Sequence, residues 1–360
     1  MPTLFDPLDL GPLHLPNRIV MAPLTRLRGT PSHVPTPIIA DYYAQRASAG
    51  LIISEGIPIS QQGVGYPQVP GLWSEEQTAA WKPITDAVHQ AGGRIFAQIW
   101  HVGRISDPIY QKDGALPVAP STIAAAGRVS LLRPEKVFVT PQELTLDEIA
   151  GIIADYKRAA ANAKTAGFDG VELHGANGYL IDQFLQSGSN QRTDAYGGTL
   201  EKRARFMLET ADAAAEIWGP GSVGMHLAPR SDAHGISDAN PVETFGYVAC
   251  ELGKRKLGFL MAREYEGPGW LGPTLKEQFG GVYIANEKFT QQTADAAIQR
   301  GDADAIAFGK LFISNPDLPA RFEKNAPLNE PIPGGFYSHG PEGYIDYRSE
   351  EHTSELQSPC

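Results

Sequence analysis

The sequence has 360 residues, 42% of them hydrophobic and 20% charged, the composition of a folded soluble protein rather than a disordered one. A formal net charge of −11 argues against nucleic acid as a partner, because phosphate backbones are bound by basic surfaces. With Cys250 and Cys360 as its two cysteines, the chain cannot hold a disulfide framework or a thiolate-ligated zinc or iron–sulfur centre.

The chain starts "MPTLFDPLDLGPLHLPNR", with early acids and prolines and no basic region leading into an apolar run. No stretch reaches the ~18 apolar residues of a membrane span. The expectation is a cytoplasmic protein with no membrane partner.

Short β-like runs then alternate with helix-like segments. Strands are expected at "RIVMAP" (18–23), "LIISEG" (51–56), "RIFAQI" (94–99), "GVELH" (170–174), "VGMHL" (223–227), "LGFLMA" (257–262), "GVYIA" (281–285) and "AIAFG" (305–309). Between them lie Ala-rich amphipathic stretches such as "DEIAGIIADYKRAAANAKTAG" (147–167) and "LEKRARFMLETADAAAEIW" (200–218), with apolar residues recurring every three and four positions. Eight strands separated by helices predict a single α/β domain over 1–347, a (β/α)₈ TIM barrel. A doubly wound sheet would show the same alternation, and the count of eight decides between them.

Residues 104–145 contain five prolines, and "RPEKVFVTP" (133–141) reads as a β-hairpin, so a lid is expected after strand three. The last stretch, "RSEEHTSELQSPC" (348–360), is polar and without period, and resembles a translated sequencing adapter. It is expected to be a disordered, artefactual tail and, with Cys360, is set aside.

In a barrel, reactive side chains cluster at the C-terminal ends of strands. Those positions are Pro23, Leu24 and Thr25 after strand one, Gly56 at strand two, and Gln98, Trp100 and His101 at strand three. His174, Asn177 and Tyr179 follow strand four, His226 is on strand five, Asn286 follows strand seven, and Gly309 and Lys310 follow strand eight. The set is rich in neutral hydrogen-bonding groups. It lacks the paired carboxylates of a glycosidase, a serine or cysteine nucleophile with its base, and a metal-ligand cluster. Neutral donors suit a bound cofactor that brings its own reactivity. "AFGK" (307–310) offers a glycine and a lysine to a phosphate, although the same residues also make an ordinary turn.

"MAPLTR" (21–26), "YYAQRASAGLIISE" (42–55), "AQIWHVGRIS" (97–106), "ELHGANGYLIDQFL" (172–185), "SNQRTDAYGGTLEKRARF" (189–206) and "NPDL" (315–318) together resemble the Old Yellow Enzyme family of flavin-dependent reductases. The match runs in order from about residue 4 to "EGYIDY" (342–347). The resemblance implies a TIM barrel, non-covalent FMN, NADPH or NADH as reductant, and a monomer or homodimer. It implies ping-pong reduction of the activated C=C bond of an α,β-unsaturated carbonyl or nitroalkene, with nitrate esters or nitroaromatics as alternatives on the same site.

By the same resemblance, His174 and Asn177 hold the substrate oxygen from one helical turn, and Tyr179 gives a proton to the α-carbon. Thr25 reaches flavin O4, and threonine there points to the classical branch. Pro23, Leu24, Gly56 and Gln98 line the isoalloxazine, with Gln98 at its pyrimidine edge. Tyr66, Trp100 and Tyr337 shape the substrate pocket. The sequence departs from the family at His226, where an arginine usually stands beside flavin N1, and at Lys310, where the phosphate-binding residue is usually arginine. "IANEKF" (284–289) also replaces a glycine-richer turn around Asn286. Rival readings are a non-flavin barrel lyase or isomerase acting on a phosphorylated substrate, and a flavin-binding protein without turnover.

Overall fold

The structure, a computed structural model, describes residues 1–349. Eight parallel strands close a barrel: β1 (Ile19–Met21), β2 (Leu51–Pro58), β3 (Ile95–Trp100), β4 (Gly170–His174), β5 (Val223–Leu227), β6 (Phe259–Arg263), β7 (Val282–Asn286) and β8 (Ala305–Phe308). Each pairs with its neighbours in chain order, and β8 pairs with β1. All eight fall on the runs expected from sequence. Strands β2 to β5 are buried along their whole length, as parallel strands covered on both faces must be.

Large rings fill the barrel where glycines leave room. A Cβ added at Gly170 would lie 2.3 Å from the Phe96 ring, and one at Gly224 would lie 2.1 Å from the Phe259 ring. These two rings pack at 5.8 Å in the barrel centre. An antiparallel pair, Leu8–Leu10 with Leu13–Leu15, adds Leu10 and Leu15 to the same apolar cluster. The interior is a packed core, so a ligand has to bind at an end of the barrel.

Helices cover the outside: α1 (Ile38–Ala44), α2 (Glu75–Gln90), α3 (Leu146–Thr165), α4 (Leu180–Leu185), α5 (Leu200–Trp218), α6 (Pro241–Lys254), α7 (Gly272–Phe279), α8 (Gln291–Arg300), α9 (Lys310–Ser314) and α10 (Leu318–Lys324). Two of the long ones start on capping boxes, Ser74 with Gln77 and Thr145 with Glu148, which satisfy the first free N–H groups. Helix α5 has the bounds expected from its periodicity.

The insertion after β3 is less regular than the expected hairpin. Val118–Ala119 pairs in parallel with Gln142–Glu143, and a single antiparallel bridge joins Arg128 to Val137. Pro134 and Pro141 bring no N–H to a ladder, so the alternating pattern of 133–141 finds one bridge instead of two strands. Of the expected tail, the Arg348 carbonyl accepts hydrogen bonds from Arg321 and Asn329 at 2.8 and 2.9 Å, while 350–360 lies outside the described residues. Among the described residues, no helix is long and apolar enough to cross a membrane.

Candidate active site

A cavity of about 610 Å³ opens at the C-terminal ends of the strands. Its wall runs from Ala22–Thr25 after β1, through His226 on β5 and Arg263 at the end of β6, to 286–289 after β7 and 307–311 at β8. Asn177 and Tyr179 enter from the loop after β4, Tyr66 from the segment after β2, and Tyr337 from near the C-terminus. Three cations, Arg263, Lys288 and Lys310, face one carboxylate, Glu287, which Arg263 already engages at 3.2 Å. In a chain of charge −11 this is a local reversal of sign, suited to an anionic ligand.

Tyr337 owes its place to two arginines of the segment after β1. Arg26 donates to the carbonyls of Phe336 and Gly343, and Arg28 to those of Phe336 and Gly335 and to the Ser338 hydroxyl. Both guanidiniums also lie over the Tyr344 ring, at 5.0 and 4.2 Å. This clamp holds the C-terminal segment across the barrel mouth.

His174 ends β4 in register with His226 on β5. The chain then turns sharply rather than entering a helix. Asn177 and Gly178 have φ of 59° and 78°, and α4 begins only at Leu180. The helical turn expected for His174 and Asn177 is therefore a loop, because asparagine and glycine tolerate the left-handed conformation that reverses it. Gly178 N–H donates to Asp182 at 2.8 Å, and the Gln183 amide to the Gly178 carbonyl at 2.7 Å, which fixes the loop on α4.

Tyr179 flanks the start of α4. Its hydroxyl shares a 2.8 Å hydrogen bond with Tyr66, and its ring packs edge-on against Trp100 at 4.7 Å and His174 at 4.9 Å. Burial, and then the Tyr66 hydroxyl, push its pKa well above that of a free tyrosine. The phenol therefore stays protonated at neutral pH.

Beneath the cavity lies a buried polar chain. The Gln98 amide Nε2 donates to Glu172 at 2.7 Å and lies 3.3 Å from His226 Nδ1. An amide NH₂ can only donate, so Nδ1 accepts and the proton of neutral His226 sits on Nε2. That Nε2 is buried and bonds no protein group. Burial, then His174 and Arg263, hold His226 well below the usual histidine range. His174 is held at about 3 by burial and then Arg263, and burial raises Glu172 to about 8 despite the Gln98 donor. The site presents neutral imidazoles.

The structure divides the expected residues into two layers. Pro23, Leu24, Thr25, Tyr66, Asn177, Tyr179, His226, Asn286, Gly309, Lys310 and Tyr337 line the cavity. Gly56, Gln98, Trp100 and His174 are not in its wall. Gly56 lies beneath Trp100, whose Cε3 a Cβ at residue 56 would meet at 2.5 Å. Trp100 is 2% exposed and backs Tyr66, His174 and Tyr179. His101 is fully buried and held at about 3 by burial. Asn286 donates to the Ala307 carbonyl at 2.7 Å, joining the loops of β7 and β8. Arg263 and Lys288 were missed by the sequence reading. The signal for Arg263 was available, since it directly follows the apolar run 257–262.

A second chamber of about 370 Å³ shares Tyr66 and Tyr337 with the first and runs under the insertion, past Arg128, Ser130 and Arg133.

The sequence profile of the NADH:flavin oxidoreductase / NADH oxidase family matches residues 3–329. The chain is 42% identical over 366 aligned positions to putative 12-oxophytodienoate reductase 2 of Oryza sativa subsp. japonica, covering 98% of this chain and 95% of that protein. It is 40% identical to 12-oxophytodienoate reductase 2 of Arabidopsis thaliana, covering 98% and 96%. Among solved structures, the Old Yellow Enzyme homologue from Zymomonas mobilis superposes with a TM-score of 0.93 at 44% identity, covering 96% of this chain and 99% of that one. Morphinone reductase in complex with tetrahydroNAD does so with a TM-score of 0.93 at 47% identity, covering 97% and 98%.

Proposed function

The chain belongs to the NADH:flavin oxidoreductase / NADH oxidase family, and from that premise we propose that it is an FMN-dependent ene-reductase. In this reading NADPH or NADH and the oxidising substrate take turns in one cavity, and the substrate is an alkene conjugated to a carbonyl or nitro group. The observation that carries the reading is the donor set. Asn177 and His226, with His174 behind them, are neutral, and a protonated phenol, Tyr179, borders the same space.

The wall fits FMN on its chemistry. Lys310 and Lys288 suit the phosphate, Gly309 leaves backbone accessible beside Leu24, and the free N–H of His226 suits an acceptor on the ring. Thr25 and the backbone of Pro23 and Leu24 supply the remaining side of the slot. The cavity volume lies within the usual ~300–1,000 Å³ range for small-molecule sites. FMN held there would supply the hydride chemistry between a nicotinamide and a second ligand.

The chain's own residues do the rest. Asn177 holds the carbonyl or nitro oxygen from the cavity wall, and His174, 6% exposed directly behind it, is the proposed second donor; together they stabilise the negative charge that grows on that oxygen as hydride reaches the β-carbon. These donors are neutral, because burial and the nearby Arg263 disfavour an imidazolium at His174. Tyr179 then gives its proton to the α-carbon. Its hydroxyl bond to Tyr66, which also lines the second chamber, offers a route for reprotonation. The same oxygen clamp would hold a nitroaromatic or nitrate ester, the second substrate class we consider.

Purified protein should release about one FMN per chain, bleach with NADPH or NADH, and recover its colour with cyclohexenone or a nitroalkene. Protein that cannot be loaded with FMN, or whose reduced form no enone reoxidises, would refute the proposal.

A further inference from the structure

Arg263, the last residue of β6, joins two parts of the site that the chain keeps far apart. Its Nη1 donates to Asn177 Oδ1 at 2.9 Å and its Nη2 to Glu287 Oε1 at 3.2 Å, and the residue lines the cavity. The side chain is 42% exposed.

An asparagine amide has two ends of nearly equal shape, one accepting and one donating, and packing alone does not choose between them. At Asn177 the backbone is in a loop at φ 59°, so no helix or strand fixes the side chain. The guanidinium does. With Oδ1 taken by a cation, the NH₂ is the end left for a ligand in the cavity.

Glu287 steadies the guanidinium from the loop after β7. That residue has a φ of 96° and Lys288 after it one of 61°, backbone conformations that glycine adopts more readily. Such strain persists where surrounding contacts hold it, and the bond to Arg263 is one of them. A positive charge behind the amide also polarises it, which strengthens donation toward an oxygen gaining negative charge.

We propose that Arg263 is a positioning residue of the reaction: it holds the Asn177 amide with its NH₂ toward the substrate oxygen and reinforces that donor from behind. The inference rests on the reading of Asn177 as a substrate donor. Lysine in its place would keep the charge but lose the fork that reaches Asn177 and Glu287 together.

The test uses FMN-loaded protein and 4-chlorophenol, whose phenolate oxygen imitates the charged oxygen of the reduced substrate, with binding followed by the change in flavin absorbance. Arg263→Met should weaken the phenol by about tenfold or more, as expected for losing a hydrogen bond to a charged group, and Arg263→Lys should recover part of this. FMN content and melting temperature should stay unchanged. In an Asn177→Ala background, Arg263→Met should add less than about twofold, because it acts through the missing amide. An unchanged phenol affinity in Arg263→Met, or an equal loss in both backgrounds, would overturn the inference while leaving Asn177 in its role. An Asn177→Ala variant that binds phenol as well as the parent would overturn the underlying reading, and this inference with it.

Discussion

The imidazoles of His174 and His226 stack with centroids 5.4 Å apart and planes 19° from parallel, as register partners at the ends of adjacent strands. Two imidazoliums at this distance would repel each other, and burial already disfavours either charge. Arg263 adds a third reason for both rings to stay neutral. The barrel thus places donors without charge at its centre, while fixed charge sits toward β6, β7 and β8.

That arrangement sets opposite pH signatures for two buried groups. His174 is held at about 3 against an ordinary 6.5, so the stability tied to its neutral form is complete above pH 6.5 and is lost as pH falls toward 3. The unfolded chain takes a proton that the folded chain refuses. His174→Gln should therefore gain stability relative to the parent as pH drops from 6.5, measured by urea melts. Glu172 has the reverse sign, because its folded value of about 8 lies above the ordinary 4.5. Its contribution is complete below 4.5 and lost as pH rises through 8, so Glu172→Gln should gain relative to the parent as pH rises from 4.5 to 8. Melting curves that stay parallel to the parent across pH would contradict both assignments.

Lys310 is exposed at the start of α9 and lines the cavity, so its removal should affect the cofactor more than the fold. Lys310→Ala should weaken FMN by about tenfold, the effect of losing one point charge at a phosphate. The melting temperature of the FMN-free protein should not change. Fluorescence titration at rising ionic strength should show a flatter salt dependence in the variant, because one screened attraction is gone. An unaltered FMN affinity would place the phosphate elsewhere.

On the proposed mechanism, Tyr179→Phe removes a proton source and leaves the oxygen clamp in place. Stopped-flow reduction of bound FMN by NADPH should survive, and oxidation by an enone should slow by about 10² or more. Oxidation by a quinone, which needs no proton on carbon, should be spared. Tyr66→Phe should show a milder form of the same pattern, since it removes the hydroxyl partner of Tyr179 and not Tyr179 itself. Equal slowing of the quinone and enone reactions would rule Tyr179 out as the proton donor.

What a local sequence pattern reveals depends on what it encodes. Buried parallel strands are continuous apolar runs, so all eight were visible, and α5 showed its bounds through a clean 3.6-residue period. The insertion misled, because 133–141 alternates like a strand while its prolines withhold ladder donors. The spacing of His174 and Asn177 suits a helical turn, yet Asn177-Gly178 is the kind of pair that reverses a chain, and here it does. Gly56, Gln98 and Trp100 sit at strand ends as expected, but whether a residue there faces the cavity or supports one that does depends on the barrel's closure, which no local pattern contains. Arg263 escaped notice because charge at the end of an apolar run usually means solvent. Its contact with Asn177 exists only because the loop after β4 brings that side chain within reach.

The residues of "ELHGANGY" carry the sharpest prediction. Replacing His174 or Asn177 by alanine should leave FMN content close to one per chain, because Asn177 sits on the loop after β4 and His174 behind the wall, whereas the residues proposed for the phosphate, Lys288 and Lys310, follow β7 and β8. On the proposed mechanism each variant loses one donor to an oxygen that becomes charged in the transition state, worth roughly 2–4 kcal/mol or about 30- to 1000-fold in the rate of enone reduction. The two should differ in a second respect. His174 packs between Trp100, Tyr179 and His226, so His174→Ala also removes a ring that three aromatic neighbours lean on and should lower the melting temperature. Asn177 is a loop residue whose side chain contacts Arg263, so Asn177→Ala should cost rate with little cost in stability. Its left-handed backbone adds a small penalty for alanine, which Asn177→Gly avoids and which therefore separates strain from lost donation. If Asn177→Gly restores the rate, the amide is not the donor and the oxygen clamp as drawn here is wrong.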